Sequence, residues 1–312
     1  MKIQNRSKIC LIISCAVMAV ALLMTVFGYG INLGIDFEGG LSMEYNLKQK
    51  AVKGDLEGIL SGMEIKSFTV TYQGSGEDEA VIRIKDVAEE DIQNVQSRFE
   101  EQLKEKYPEA ESVGDVNYVG PVAGATLVRN AVISVLLASA LMLVYIAIRF
   151  DLNSGLSAVF GLLHDVLIML SFMVIFRGVI QMNSSFIAAA LTIVGYSINI
   201  TIVIFDRIRE NAKKHPTLPR EEVTNMSIQE SLGRTLTTTA TTLITIVALC
   251  VLGVASIREF ALPIIVGILS GVYSANMING YVWAFLEEKK RRGGKNGARA
   301  KAGAGMKAKA GA

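Results

Sequence analysis

The sequence predicts a polytopic α-helical membrane protein with one α+β domain inserted between its first two membrane-spanning helices. Two observations lead to this fold class. Of the 312 residues, 51% are hydrophobic, which is a high share for a soluble protein. The apolar residues also fall into six long runs, and the polar segment 29–125 separates the first run from the second.

Each apolar run is long enough to cross a hydrocarbon core of about 30 Å as a helix. The first run, within the segment 1–28, follows three basic residues, so a cleavable signal peptide is the alternative to an uncleaved helix. No small-residue cleavage site follows Gly28, and this favours the uncleaved helix. The six predicted spans are Ile9–Gly28, Leu127–Ile148, Leu156–Phe176, Ser185–Phe205, Leu236–Ala255 and Leu262–Leu286.

Basic residues are concentrated on one side of the predicted membrane. They lie at the N-terminus, in the predicted cytosolic loop 206–234 and directly after the sixth span, whereas the opposite loops hold only Arg177 and Arg258. Because basic loops stay in the cytosol, both termini are predicted to be cytosolic and the domain 29–125 extracytoplasmic. This domain is acidic, with 19 Asp and Glu against 9 Lys and Arg.

The chain ends in a predicted disordered, basic cytosolic tail. The helical bundle is predicted for 126–288, and the tail 289–312 is rich in Gly, Ala and Lys without an apolar period. A solvated tail and one that contacts anionic membrane lipid both fit this composition. The three cysteines lie in apolar runs, so neither a disulfide nor a cysteine metal motif is predicted.

The extracytoplasmic segment alternates between strand and helix patterns. Their order, βαββαβ, is ferredoxin-like. The domain has no His, no Cys and no nucleophile constellation, so the sequence predicts no enzyme, no cofactor, no metal site and no nucleic-acid partner. The predicted elements are strand Leu41–Leu47, helix Ala51–Gly62, strand Ser67–Tyr72, strand Ala80–Lys85, helix Glu89–Tyr107 and strand Ser112–Val119.

Four polar residues in or beside the predicted spans are candidates for an ion path through the membrane, where polar groups are costly. Asn199 lies in the middle of the fourth span. The adjacent His164 and Asp165 in the third span are either a proton-responsive pair or a structural contact with another helix. Arg234, which precedes seven threonines, is either a side chain that snorkels to the interface or part of a polar lining.

Two further segments allow two interpretations each. Pro219–Leu232 is predicted to be a helix along the inner membrane surface or a soluble helical loop. The small and polar residues of the sixth span predict a packing face first, and a face toward a neighbouring bundle as the alternative. These residues are Ser270, Gly271, Ser274, Asn276, Asn279 and Gly280.

Five motifs together resemble the SecF family of protein-export membrane proteins, within the RND superfamily. The resemblance covers nearly everything from Lys2 to Arg292. The combination of the first and fourth motifs is the most specific feature. The motifs are Gly34–Gly40 (GIDFEGG), Val119–Gly124 (VGPVAG), His164–Asp165, Gly195–Asn211 (GYSINITIVIFDRIREN) and Arg234–Thr239 (RTLTTT).

The resemblance implies an auxiliary subunit of the Sec machinery in the bacterial cell membrane. It would be half of an RND-type bundle of twelve spans, completed by SecD, and would associate with the SecYEG channel. The pair would promote late stages of translocation of preproteins delivered by SecA, using the ion-motive force. In this reading Asp36, Phe37, Gly39 and Gly40 join the extracytoplasmic domain to the first span.

One residue departs from the family pattern. Gly195, Asp206 and Arg207 match the fourth-span motif, but the acid that usually follows its Asn is replaced by Ile200. Arg234 matches an arginine of the same relay. The missing acid is therefore supplied by the partner, or coupling uses another ion, or this subunit is a structural scaffold without its own ion coupling. An independent RND-like small-molecule exporter is the least favoured alternative.

Overall fold

The computed structural model describes residues 4–52, 54–73, 78–85, 87–113, 116–178, 180–253 and 255–291. From residue 292 onward, the tail that is predicted to be disordered lies outside the described residues. Its helices and strands are α1 (Gln4–Val26), α2 (Ile35–Glu38), β1 (Gly40–Asn46), α3 (Asp55–Gly62), β2 (Phe68–Gln73), β3 (Glu79–Ile84), α4 (Ile92–Lys106), β4 (Glu111–Ser112), β5 (Asn117–Val119), α5 (Pro121–Arg149), α6 (Leu152–Ile175), α7 (Ser184–Lys214), α8 (Arg220–Leu252) and α9 (Ala255–Ser274).

Six helices in the described part of the chain, α1 and α5 to α9, are long and apolar enough to cross a membrane. Together with the small sheet between the first two of them, they confirm the predicted fold class. The last helix continues beyond α9 through a π-helical turn, Ala275–Asn279, to residue 291.

Side-chain caps define where two of these helices begin. The Asp151 carboxylate accepts a hydrogen bond from the Ser154 amide at the start of α6. The Asn183 side chain accepts one from the Phe186 amide, at 3.2 Å, at the start of α7. Such caps satisfy amides that have no partner within the helix.

The segment 206–234, predicted as a loop, is helical except for its middle. Helix α7 continues to Lys214 and α8 begins at Arg220, so only 215–219 connects them. Contacts between the two helix ends explain this extension. Arg207 Nε donates to Glu230 across the pair at 2.6 Å, and the buried Asn211 amide donates to the Ser227 hydroxyl at 3.0 Å. Pro219–Leu232 is therefore part of one continuous helix with the fifth span.

Helices α7 and α9 form the centre of the bundle. They pack against each other, and both contact α6 and α8. Helix α1 packs against α6, and α5 contacts α6 and α7 from the outside. Two clusters of buried apolar side chains fill the bundle, one around Ile204 and Trp283 and the other around Met169 and Ile268.

The α+β domain has the ferredoxin-like topology that its element order predicts. All strand pairs are antiparallel, and the sheet has the order β2-β3-β1-β4, with β5 also paired to β1. The last strand is divided into two short pieces, so the single strand Ser112–Val119 is not observed. Side chains on one sheet face pack with α3 and α4 into a core that includes Met43, Ile82 and Phe99.

The other sheet face is turned toward the membrane helices. Arg83, on β3, forms an ion pair with Glu259 near the start of α9 at 2.7 Å, and each of these side chains is 12% exposed. Asn183 donates to the second oxygen of Glu259 at 2.5 Å. These bonds tie the sheet to the end of the bundle that carries the domain.

Candidate functional site

A fully buried carboxylate, Asp165 on α6, lies in the interior of the six-helix bundle. Three serine hydroxyls from two other helices donate to it. Ser197 on α7 donates to Oδ2 at 2.5 Å, and Ser270 and Ser274 on α9 donate to Oδ1 at 2.8 Å and to Oδ2 at 2.9 Å. Hydrogen bonding of this density compensates for removing a carboxylate from water.

The sequence brings these hydroxyls together by spacing and by one glycine. Ser270 and Ser274 are four residues apart, so they lie one above the other on the same face of α9. A Cβ atom on Gly271 would lie 3.3 Å from the Cα of Ser197. The glycine therefore allows α7 and α9 to approach closely enough for both helices to reach Asp165.

His164 links this carboxylate to α1. Its Nδ1 lies 3.0 Å from Asp165 Oδ1 and its Nε2 lies 2.7 Å from the Ser14 hydroxyl. The ring stacks on Tyr273 at 6.0 Å between centroids, and the Tyr273 hydroxyl donates to the Cys10 carbonyl at 2.6 Å. Since Ser14 can donate or accept, both the neutral and the protonated imidazole can keep two hydrogen bonds.

Polar contacts continue past Asp165 along the π-helical turn. The Asn279 amide donates to the Thr201 hydroxyl, one helical turn from Ser197, at 3.1 Å. A Cβ atom on Gly161 would lie 2.1 Å from that amide nitrogen, so α6 leaves room for Asn279. The side-chain oxygen of Asn279 has no hydrogen-bond partner among the residues described. A π-helical turn frequently marks a functional position in a helix.

The structure separates the four predicted path residues into two groups. His164 and Asp165 are buried together, whereas Asn199 and Arg234 are exposed on the surface of the bundle. Because a polar side chain in contact with lipid is costly, Asn199 would be expected to face the interior of the bundle. It faces away from the core of its own chain instead. Arg234 lies beside Asp206 and Glu230 in a surface pocket between α7 and α8.

Ile200, which follows Asn199 in the fourth-span motif, points into the chain's own core. Its side chain is 3% exposed and belongs to an apolar cluster with Ile146 and Ile204. Its side chain is therefore turned by about 100° around α7 from that of the adjacent, exposed Asn199.

The residues of the first motif form a compact junction between the α+β domain and the bundle. The Asp36 carboxylate accepts from the Ser184 amide at 2.7 Å and from the hydroxyl of the same residue. Phe37 is buried, and a Cβ atom on Gly124 would lie 2.8 Å from its carbonyl oxygen. Gly39 and Gly40 have φ of 80° and 127°, conformations that favour glycine.

The motif residues at the other end of α7 form surface ion pairs. Asp206 pairs with Arg149 at 3.3 Å, and Arg207 pairs with Glu210 and Glu230 at 2.6 Å each. Gly195 is half-buried on α7.

The sequence reasoning missed the hydroxyls that surround Asp165. Ser14 and Ser197 were not predicted as site residues, and Ser270 and Ser274 were assigned first to packing. Their four-residue spacing and the position of Ser197 two residues before Asn199 were the available signals. Neither signal identifies Asp165 as the common acceptor, because its serine donors are between 32 and 109 positions away in sequence.

Comparisons with known proteins agree with the motifs. The family described as "Protein export membrane protein SecD/SecF, C-terminal" matches residues 98–289, and the "SecD/SecF GG Motif" matches residues 26–51. The protein translocase subunit SecF of Rhodothermus marinus is 37% identical over 88% of this chain and 88% of its own length. SecF of Rickettsia felis is 34% identical over 84% of each chain.

Two similar chains are longer SecDF proteins. The Bacillus subtilis protein translocase subunit SecDF is 34% identical over 89% of this chain but only 37% of its own length. The crystal structure of SecDF from Thermus thermophilus, a translocon-associated membrane protein, superimposes with a TM-score of 0.80 at 32% identity, covering 91% of this chain and 38% of that one. A super-membrane-facing form of SecDF gives a TM-score of 0.64 over 95% of this chain.

These matches define what kind of protein the chain is. It is a multi-pass membrane protein of bacteria with a role in protein export, and its relatives are translocase subunits rather than enzymes. With a family match over more than half of its length and translocase relatives above 30% identity, the chain belongs to the SecF family of protein-export membrane proteins.

Proposed function

We propose that this subunit pairs with a SecD-like subunit and, together with it, uses the ion-motive force to promote late stages of preprotein translocation. The observation that carries the pairing is the exposed position of Asn199 in the middle of an apolar helix. A polar amide that faced lipid at that depth would be costly. A second helical bundle that covers this side of α7 would give the amide a protein partner, and the longer SecDF relatives support such a partner.

The exposed threonines of α8 favour the same partner face. Thr237, Thr238 and Thr241 are exposed, whereas Thr235 and Thr239 are buried within the chain. Hydroxyl residues allow close helix packing and hydrogen bonds between helices. Together with Asn199 and Arg234 they would form a polar seam between two bundles.

The two groups of polar residues suggest a division of the ion path. Asn199 and Arg234 would lie in the seam. There the partner would supply an acidic side chain in place of the one that is absent at Ile200. His164 and Asp165 would form a second, protonatable pair inside this subunit. A buried carboxylate that is surrounded by hydroxyl groups can take up either a proton or a sodium ion as the coupling ion.

The remaining parts of the proposal concern orientation and the export channel. The ends of α7 and α8 near Lys213, Lys214 and Arg220 would face the cytosol, together with both termini, and the α+β domain would project outward. The subunit would associate with the SecYEG channel, and its outward-facing α+β domain would meet SecA-driven preproteins as they emerge. Lipid would cover the apolar outer surfaces of α1 and α5, which expose many large hydrophobic side chains.

The replacement Arg234→Ala tests the proposed seam. The Arg234 side chain is exposed and makes no hydrogen bond or ion pair within the part of the chain that the structure describes, so the fold should be kept. We expect normal copurification of the SecD-like subunit and a loss of gradient-dependent export in inverted membrane vesicles. The control is Lys213→Ala, which removes another exposed cation from the same end of the bundle. Equal export by both variants would contradict a role for Arg234.

The scaffold alternative is favoured by Ile200 and makes a separate prediction. Ile200→Asp buries a carboxylate among apolar side chains, so we expect a free-energy cost of about 3 kcal/mol or more, seen as a lower melting temperature of the purified protein. Ile200→Val, the control, should cost only about 1 kcal/mol. Increased gradient-dependent export by a stable Ile200→Asp variant would contradict the scaffold. Purification without any SecD-like partner would instead favour the small-molecule exporter.

A further inference from the structure

A polar cavity of about 350 Å³ separates the open sheet face of the α+β domain from the membrane helices. The sheet contributes Ser42 and Glu44 from β1 and Arg83 from β3, on the face opposite the domain core. The end of the bundle contributes Gln181 and Glu259. Val113, directly after β4, and Asn117, the first residue of β5, also line the cavity.

The charge of this cavity is negative. Among the residues that the structure describes, it is lined by three carboxylates, Asp36, Glu44 and Glu259, against one cation, Arg83. Asp36 and Glu259 accept the hydrogen bonds described above. No hydrogen bond or ion pair reaches the Glu44 carboxylate within the described ranges, although the group is about half-buried.

A buried acceptor in the cavity wall also lacks a partner. Gln181 is only 5% exposed, and its side-chain oxygen has no hydrogen-bond partner among the described residues. Buried polar atoms are normally paired, so an unpaired oxygen beside a cavity marks a position where a water or a donor group of an occupant can bind. Arg83 Nη1 is an unpaired donor in the same cavity wall, so it would take an acceptor, and not a cation, from an occupant.

The surroundings of Glu44 disfavour its charge when the cavity is empty. Burial raises the pKa of the Glu44 carboxyl, and the neighbouring Glu79 and Glu259 raise it further. Arg83 and Arg258 lower it, but by less. A cation that enters the cavity would offset the cost of charging the Glu44 carboxyl. It would also find an acceptor on each side of the cavity, in Glu44 and Gln181.

We propose that this cavity binds the cationic side chain of a lysine or arginine in an exported polypeptide. A guanidinium group matches a carboxylate and an amide oxygen that face it from two walls, because its N–H groups form a planar fork. A metal ion fits less well, since no three His, Cys, Asp or Glu side chains in the described ranges lie close enough to hold one. The proposal rests on the export role of the family but not on ion coupling.

Binding of a short peptide to the full-length protein in lipid nanodiscs tests this site without measuring export. The probe is an extended peptide with one arginine, and its neutral control carries citrulline at the same position. Calorimetric titration should give about tenfold tighter binding of the arginine peptide. Binding should weaken as the pH falls through the raised pKa of Glu44, because protonation removes the charge that the cation meets.

Two variants with equal changes of charge locate the site. Glu44→Gln should weaken arginine-peptide binding about tenfold. Glu101→Gln, which removes an exposed acid on α4 outside the cavity, should leave it within about twofold. The inference is overturned by equal binding of both peptides, by equal binding to both variants, or by no saturable binding. Loss of binding in the complex with the SecD-like subunit would indicate that the partner occupies the cavity, and this result would also overturn the inference.

Discussion

Replacing Asp165 with alanine is expected to lower the free energy of unfolding by about 3 kcal/mol. The change leaves the hydroxyls of Ser197, Ser270 and Ser274 without their buried acceptor, at about 1 kcal/mol for each. It also leaves the Nδ1 of His164 without its carboxylate. Thermal unfolding of the detergent-purified protein measures the loss.

Two further variants separate stability from function at this site. Ser171→Ala, on the same helix, removes a buried hydroxyl that, among the described residues, donates only to the Leu167 carbonyl, so its cost should be about 1 kcal/mol. Asp165→Asn keeps a hydrogen-bonding side chain of the same size but cannot ionise. We expect it to fold and to lose gradient-dependent export. Wild-type export by Asp165→Asn would exclude Asp165 from ion coupling, and wild-type stability of Asp165→Ala would exclude its structural role.

Gly40→Ala is expected to prevent the α+β domain from folding. At this position φ is 127°, and an added Cβ atom would lie 2.4 Å from the carbonyl oxygen of Ile84 on the neighbouring strand. The strained backbone alone costs about 1–3 kcal/mol, and relief of the clash must displace β1 from β3. Hydrogen exchange of the full-length protein should show rapid exchange in both strands.

The matched control is Gly58→Ala in helix α3. Nothing lies within 4 Å of the Cβ atom that this change adds, and the glycine is exposed. Alanine is a better helix former by about 1 kcal/mol, so the control should be neutral or stabilising. Protection of β1 and β3 in Gly40→Ala equal to that in the control would refute the steric argument.

The architecture was predictable because it depends on local patterns. Long apolar runs indicate spans, and the alternation within Ala80–Lys85 indicates a strand, whichever residues they later contact. The extension of α7 and α8 beyond their apolar parts was harder to predict from the sequence. It depends on contacts such as Arg207 with Glu230, which join positions 23 residues apart.

The site was predictable only in part. An Asp beside a His within a span is unusual enough to single out Asp165, but a serine in an apolar helix equally suits simple packing. The inward or outward direction of Asn199 could not be derived either. The fourth span is apolar around most of its circumference, so no polar face marks which side meets the protein.

The junction of the α+β domain with the bundle has a mechanical consequence. The domain is held where Asp36 meets Ser184, where Arg83 meets Glu259 and where α2 packs on α5. Asp36 lies within α2, so the domain is held at two places, and its rotation would have to break the hydrogen bonds of Asp36 or the ion pair of Arg83. Ser270 lies on the same helix as Glu259, eleven residues or about 16 Å farther along. Helix α9 therefore connects the two sites directly. A change at Asp165 that displaces α9 would also move Glu259 and so alter the width of the polar cavity.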